Sequence, residues 1–345
     1  MSLALPATMK AGLYLGKGNL TVTELPVPEI GEKEILAAVM ACGICGSDTM
    51  QWYRDPAVEK RGPVNTGHEI AARIVKTGSS VGHYKAGDRV VVTHHFPCLQ
   101  CQQCKDGNET SCESMHDKHI EPGGFAQYIR IMENGVVHGL YPMPDSMSFE
   151  QGSFVEPLGC VVRSIRKTMP LENHSALVFG SGLAGLLHIK MARAFGASKI
   201  SAVDTQESRL QAARNAGAGE LLTPSQKLPL ADRIYICTGS PAAAETALKC
   251  LAPGGHLMFF AADGPDKTLS INLTKSWFLQ PVIGFSYGAA PRDMQEAIDL
   301  IHSGRVTVHD LITHRFGMDQ FPEAFRLAAN PQDGSLKVIV LPNQD

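Results

Sequence analysis

The sequence predicts an α/β protein of two domains, one β-rich and one a doubly wound parallel sheet. Three observations carry that expectation. Up to residue 155 the chain is a series of short β-branched or alternating runs broken by Gly, Pro, Asn and Asp. From Ser175 onward, apolar runs alternate with amphipathic, alanine-rich stretches, the βαβ rhythm of a parallel sheet covered by helices. A glycine fingerprint sits at the first turn of that alternation. With 345 residues, the chain has room for two separate cores.

In chain order, Leu20 to Leu25, Ile35 to Met40, Ile70 to Lys76 and Arg89 to Thr93 read as strands, punctuated at Pro63, Gly78, Gly82 and Gly87-Asp88. The βαβ rhythm then runs through Ala176 to Phe179, Leu183 to Phe195, Ile200 to Val203 and Ser208 to Ala216. It continues through Arg233 to Cys237, Ala242 to Cys250, His256 to Ala261 and Val282 to Ser286. Asp293 to Ser303 reads as a surface helix and Leu336 to Leu341 as a returning strand. The apolar segment Trp277 to Ile283 reads as an edge strand, because Pro281 would interrupt a ladder. An uncovered apolar edge invites a partner, so a homodimer, or a homotetramer built from two, is expected.

Composition excludes several functions. Hydrophobic residues at 44% and charged residues at 19% are ordinary for a globular chain. A net charge of −3 without a Lys/Arg stripe argues against a nucleic-acid partner. No apolar run reaches the roughly eighteen residues of a membrane span, and Met1 to Lys10 carries no apolar leader core. No membrane association and a cytoplasmic location are therefore expected.

Nine cysteines without a secretory context favour reduced thiols and metal ligation. Cys98, Cys101, Cys104 and Cys112 fall within fifteen positions, a spacing that closes a tetrahedral cage around one Zn²⁺. Such a cage has no open position, so it contributes folding energy rather than chemistry. A disulfide cluster or a CxxC redox pair is the alternative reading, and it suits an oxidising compartment.

Gly180-Ser181-Gly182-Leu183-Ala184-Gly185 is a GxGxxG fingerprint between an apolar strand and a helix, the context of a Rossmann nucleotide site. Gly180 permits the tight turn, Gly182 lets the backbone approach a pyrophosphate, and Gly185 permits close helix–sheet packing. Asp204 ends the next apolar run, where a carboxylate accepts both ribose hydroxyls and repels a 2′-phosphate. NAD is expected in preference to NADP, although Arg209 nearby could accommodate the extra phosphate. The bland alternative is that Asp204 caps the turn into the next helix.

A second metal site is read in the β-rich half. Cys45, within Gly43 to Asp48, and His68, within Gly67-His68-Glu69, are a thiolate and an imidazole that suit zinc with a position left open. Glu69 and Glu156 are the candidate carboxylates; Glu156 precedes a proline in an apolar stretch, and a buried carboxylate needs a partner.

These residues together resemble the zinc-dependent medium-chain dehydrogenases, closest to the polyol (sorbitol-like) and threonine dehydrogenase branch. The likeness also takes in Gly87-Asp88-Arg89-Val90, Gly123-Gly124-Phe125-Ala126, Glu156-Pro157-Leu158 and Ser335-Leu336-Lys337-Val338, and covers nearly the whole chain. It implies a GroES-like catalytic domain of residues 1–155 and 287–345, with a zinc lobe at about 94–115, and an NAD-binding Rossmann domain of residues 156–286. It further implies two zinc ions per subunit. Cys45 and His68 would ligate the catalytic one with Glu69 and Glu156 supplying carboxylates, and the four-cysteine lobe would hold the structural one.

The implied reaction is reversible oxidation of a secondary alcohol, a polyol, sugar alcohol or its phosphate. Zinc acts as Lewis acid on the substrate oxygen and hydride passes to NAD across an interdomain cleft. Ser47 matches the hydroxyl that begins the proton path, with a turn-forming serine as the alternative. The chain departs from the family pattern at Met50, where many relatives carry a histidine; methionine cannot pass a proton, which leaves ribose hydroxyls and water, His119 or Glu156 for the onward step.

The resemblance also places Lys337 where a basic residue of relatives meets the cofactor phosphates, with a surface lysine as the other reading. Trp52, Lys118, His119, Phe285 and Tyr287 fall near cleft-lining positions of relatives. Cys160 is a reserve ligand, and Cys42, Cys237 and Cys250 read as core. His94 and His95 read as packing or hydrogen-bonding groups, because four thiolates already fill the lobe. The alternative activity is L-threonine 3-dehydrogenase, with Lys118 as the cation for the substrate carboxylate. The alternative of another class is a zinc-stabilised NAD-binding sensor without turnover.

Overall fold

A computed structural model describes residues 5–262, 264–332 and 334–343. The chain forms two compact units: residues 1–157, 289–304 and 308–345 in the first, and residues 158–288 with 305–307 in the second.

In the first unit the strands are β1 (Thr8–Gly16), β2 (Asn19–Pro26), β3 (Ile35–Gly43), β4 (Glu69–Thr77), β5 (Arg89–Val92), β6 (Ile120–Glu121), β7 (Tyr128–Ile131) and β8 (Leu140–Pro142). β1 and β2 form an antiparallel hairpin. β3 is the hub of the main sheet and pairs antiparallel with β4 and with β7. Eight of its nine residues are buried, which explains why its sequence is a continuous apolar run rather than an alternating one. Ile35, Val39, Ile70, Val90, Val92, Phe125 and Ile129 form the core around it.

The second unit holds β9 (Ser175–Phe179), β10 (Lys199–Val203), β11 (Glu220–Leu222), β12 (Ala231–Ile236), β13 (Leu251–Phe259) and β14 (Val282–Phe285). They form one six-stranded sheet in the order β11-β10-β9-β12-β13-β14. Every pair is parallel. The order reverses between β9 and β12, which is the switch point where doubly wound sheets take ligands. The chain then returns to the first unit through β15 (Ile312–Gly317) and β16 (Lys337–Leu341). β16 pairs with β3 through Ile339–Gly43 and Val340–Cys42.

The α/β architecture is the one expected, and the differences are local. Trp277 to Leu279 is not strand: residues Leu273–Leu279 are helical, capped by the Asn272 side chain accepting from the Lys275 N–H at 2.9 Å. Gln280 ends that helix in the left-handed region at φ 50°. Only Val282–Phe285 forms the edge strand, so the Asn272 cap overrides the apolar run. A helix over Gln51–Arg61, with Pro56 inside it, was not indicated by the sequence pattern. No helix among the described residues is long and apolar enough to cross a membrane.

Candidate active site and metal centres

The nucleotide turn is built at the carboxyl end of β9. Gly180 takes φ +88°, the left-handed region that glycine permits. A Cβ on Gly185 would lie 1.8 Å from the Gly180 carbonyl oxygen, so the helix Leu183–Ala194 can approach the turn only with glycine there. Nothing lies within 4 Å of a Cβ placed on Gly182, which leaves that face of the turn open.

Asp204 accepts from the backbone N–H of Ser181 at 2.7 Å and of Gln206 at 3.0 Å. It therefore ties the glycine turn to the start of the next helix while lining a cavity of about 450 Å³ with Gly180, Thr205, Pro224 and Thr238. Asp204 thus caps the turn, one of the two roles expected of it, and also lines the cavity beside the glycine turn. Arg209 lies in the helix Glu207–Ala216 and is not among the cavity-lining residues. The glycine cradle and the cavity beside a carboxylate fit a dinucleotide.

The four-cysteine lobe is built locally. The Sγ atoms of Cys98, Cys101, Cys104 and Cys112 lie within 4.8 Å of one another. Backbone N–H groups point at the sulfurs: Cys98 N–H to Cys112 Sγ at 3.3 Å and Cys101 N–H to Cys98 Sγ at 3.4 Å. The backbone N–H groups of Gln100 and Cys101 lower the Cys98 thiol to about 6, while burial and the Cys101 side chain push the Cys104 thiol up to about 12. The four-thiolate set fits zinc, and none of the nine cysteines is in a disulfide.

The second cluster is assembled from distant parts of the chain. Cys45 follows the end of β3, while His68 and Glu69 stand at the start of β4, directly across the ladder through the Gly43–Glu69 pair. Their ligand atoms also lie within 4.8 Å of one another. Asp48, fully buried, accepts from the Cys45 N–H at 3.0 Å and faces His68 Nδ1 at 3.5 Å. Burial opposes ionisation of Asp48, but His68, Arg54 and the Cys45 N–H outweigh it and hold its pKa down to about 2. Burial likewise opposes protonation of His68, yet Asp48 and Cys45 raise its pKa well above the usual value. A thiol, an imidazole and a carboxylate with their ligand atoms together, and a buried carboxylate behind the imidazole, are a donor set that suits zinc. A buried Oε1 of Glu69 without a hydrogen-bond partner completes the fit to zinc.

Lys337 is not a surface lysine. Its side chain is fully buried, ion-paired with Glu69 Oε2, and donates to the Ile44 carbonyl at 3.2 Å. The cause is register, since β16 runs beside β3 and carries Lys337 in beside Gly43. A Cβ on Gly43 would fall 1.9 Å from Glu69 Oε2 and 2.5 Å from Lys337 Cε, so glycine makes room for the pair.

Glu156 stands half-buried in the first turn of the helix Val155–Arg166 and is not in the three-residue cluster. Cys160, one turn later, falls in the second unit and is also half-buried. Ser47 is half-buried in the turn after Cys45, and Met50 begins the helix Gln51–Arg61. His94 stacks 4.6 Å from His68, and its buried Nδ1 has no partner. His95 stacks on His94 at 3.5 Å and meets His116 at 3.2 Å. Among the candidate specificity residues, His119 is buried against Phe96 and Lys118 is paired with Glu121 at 2.8 Å. Trp52, Phe285 and Tyr287 are exposed.

Residues 31–145 match the alcohol dehydrogenase GroES-like domain and residues 184–303 the zinc-binding dehydrogenase domain. The chain belongs to the zinc-binding alcohol dehydrogenase family. It is 31% identical to a sorbitol dehydrogenase of Bacillus subtilis over 100% of both chains. It is 30% identical to an L-threonine 3-dehydrogenase of Bacillus velezensis over 93% of this chain and 95% of that one. Among solved structures, the 2R,3R-butanediol dehydrogenase of Bacillus subtilis superposes with a TM-score of 0.84 at 26% identity, covering 97% of this chain and 100% of that one. The dehydrogenase is thus a zinc- and NAD(P)-dependent oxidoreductase acting on CH–OH donors. Sequence reasoning named the Cys98, Cys101, Cys104 and Cys112 cluster, the Cys45, His68 and Glu69 cluster and the glycine turn that the fold brings together. It missed Arg54, which contacts Asp48, and the Glu69–Lys337 pair, because neither lies at a helical or strand spacing that a pattern would flag.

Proposed function

We propose that this dehydrogenase oxidises a secondary alcohol of the polyol class with NAD, using Cys45, His68 and a carboxylate to hold the catalytic zinc. The observation that carries the reading is the convergence of Cys45, His68 and Glu69 around one point, beside a buried Asp48 that orients His68. When bound, zinc supplies Lewis acidity to the substrate oxygen and NAD accepts the hydride. The protein residues do the rest. Asp48 fixes the His68 ring so that its far nitrogen faces the ligand cluster. Lys337 holds one oxygen of Glu69 and leaves the other for a ligand, with Glu156 the remaining carboxylate. Ser47 takes the alcohol proton. The four lobe cysteines hold a second, structural zinc.

Asp204 favours NAD over NADP, since its carboxylate lines the nucleotide cavity. Asp204→Ser narrows that preference by about tenfold or more, the scale of one hydrogen bond to a charged group. Steady-state kinetics with both cofactors measures it.

The L-threonine reading draws on the 30% identical relative. It needs a free cation for a carboxylate, and Lys118 is already committed to Glu121. A polyol substrate asks only for hydrogen-bonding groups. We also assign a homodimer through β14, where Val282 and Phe285 are 49% and 69% exposed beside Trp277 and Phe278 at 74% each. Light scattering checks it: a monomer at micromolar concentration rejects the dimer.

The deciding experiment follows NADH formation from polyols, polyol phosphates, L-threonine and simple alcohols, with and without chelation. Polyols are expected to turn over and chelation to stop them. Activity after complete zinc removal overturns the mechanism, and no activity on any member favours an NAD-binding sensor.

A further inference from the structure

Arg54 lies in the first turn of the helix Gln51–Arg61, six residues after Asp48. Its Nη2 donates to Asp48 Oδ1 at 3.0 Å and its Nε donates to the Ser47 carbonyl at 2.9 Å. The same Oδ1 faces His68 Nδ1 at 3.5 Å, and Oδ2 accepts from the Cys45 N–H at 3.0 Å. The guanidinium packs over the Tyr53 ring at 4.9 Å, and only 19% of the side chain is exposed. One planar cation therefore reaches the carboxylate behind His68 and the backbone that carries Ser47.

We propose that Arg54 is a positioning residue of the catalytic metal centre, acting on His68 through Asp48 and on the Ser47 loop through its carbonyl. The inference rests on the assignment of Cys45 and His68 as metal ligands. The physical reason is the sharing of Asp48. A carboxylate behind a metal-bound imidazole draws on its N–H and makes the ring a stronger donor, which lowers the Lewis acidity of the metal. A guanidinium on the same oxygen takes up part of that charge and fixes its direction, so the imidazole stays oriented without becoming strongly anionic. A buried ion pair is a poor device for stability alone, because desolvation offsets its Coulomb attraction. Two fork hydrogen bonds to adjacent residues suit geometry, and only arginine supplies both.

The test uses full-length enzyme with Co²⁺ in place of zinc at the open centre. Metal affinity is measured by competition with a chromophoric chelator, and the ligand-field bands are recorded. Variants are R54Q, R54K, D48N and R54Q with D48N. R54Q is expected to weaken metal binding by about 10- to 100-fold, the range for residues behind metal ligands, and to shift the cobalt bands. R54K keeps the charge but not the fork, and recovers part of the loss. If Arg54 acts through Asp48, the double variant binds metal no more weakly than D48N alone. Turnover falls in R54Q while the KM for NAD does not move.

Wild-type affinity and spectrum in R54Q overturn the proposal, as do losses that simply multiply in the double variant. If R54Q fails to fold, R54K decides: cobalt affinity and bands identical to wild type overturn the proposal. A wild-type protein with no Cys45-dependent thiolate-to-cobalt band instead refutes the metal-site assignment, which separates the two failures.

Discussion

The two cysteine-bearing centres are built by opposite means. In the lobe, all four ligands fall between residues 98 and 112, and backbone N–H groups of the same segment steady the sulfurs. In the open centre, Cys45, His68 and Glu69 are held by Asp48, Arg54 and Lys337, so residues from position 45 to position 337 must arrive together. A closed cage of thiolates needs only a short loop, and it leaves no position for a substrate. An open site must hold its geometry with one position unfilled, so the missing ligand's constraint comes from side chains behind the ligands. On the assignment proposed above, the difference separates a brace from a reaction centre.

The sharpest way to break the comparison is Cys45→Ser. Removing a ligand of the reacting metal forfeits about 4 kcal/mol of barrier lowering, or about 10³-fold in turnover, while the protein stays folded. Rate measurement with circular dichroism tests it; a Cys45→Ser enzyme of normal rate moves the chemistry elsewhere. Next is Lys337→Met, which leaves Glu69 buried and uncompensated and should cost about 3 kcal/mol of stability. Denaturant unfolding of the variant reads that loss, and an unchanged midpoint would show that the open centre does not depend on its long-range ion pair.

Cys101→Ser should release one zinc and about 2 kcal/mol of stability, roughly 4–8 °C in melting temperature, with turnover of the folded enzyme kept within a few-fold. A stable Cys101→Ser protein without turnover reverses the assignment of the two centres.

The smallest effect is in the pH dependence of metal retention. Burial opposes protonation of His68, but Asp48 and Cys45 raise its pKa well above the ordinary value, so His68 takes up a proton at higher pH than an ordinary histidine. Protons therefore compete with metal for the open centre as pH falls. Metal analysis and rate measurement after dialysis at stepped pH should show activity falling together with the loss of one zinc. Activity retained after that zinc has left contradicts the assignment of the open centre.

Legibility in the sequence follows the same division. The lobe could be read because its ligands are close in sequence, and the nucleotide turn because Gly180, Gly182 and Gly185 sit between a recognisable strand and helix. The strands β3, β4, β9 and β10 stood out as apolar runs. The helix Gln51–Arg61 did not, since Pro56 breaks its pattern and none of its residues is buried. The apolar run at Trp277 misled because a single cap, Asn272, decides helix against strand there. The burial of Lys337 against Glu69 was not legible, because sequence shows that it is basic, not which face of β16 it occupies. Arg54 was invisible because its link to Asp48 spans six residues through a change of direction at Met50, which no periodicity reports.

The most direct test of the central claim is stepwise chelation of the two-zinc enzyme, with zinc content, turnover and melting temperature followed on the same samples. The account predicts that turnover vanishes as zinc falls from two per subunit to one, with the fold retained, and that only removal of the second zinc lowers the melting temperature. Turnover that survives the first loss and disappears with the second would contradict it.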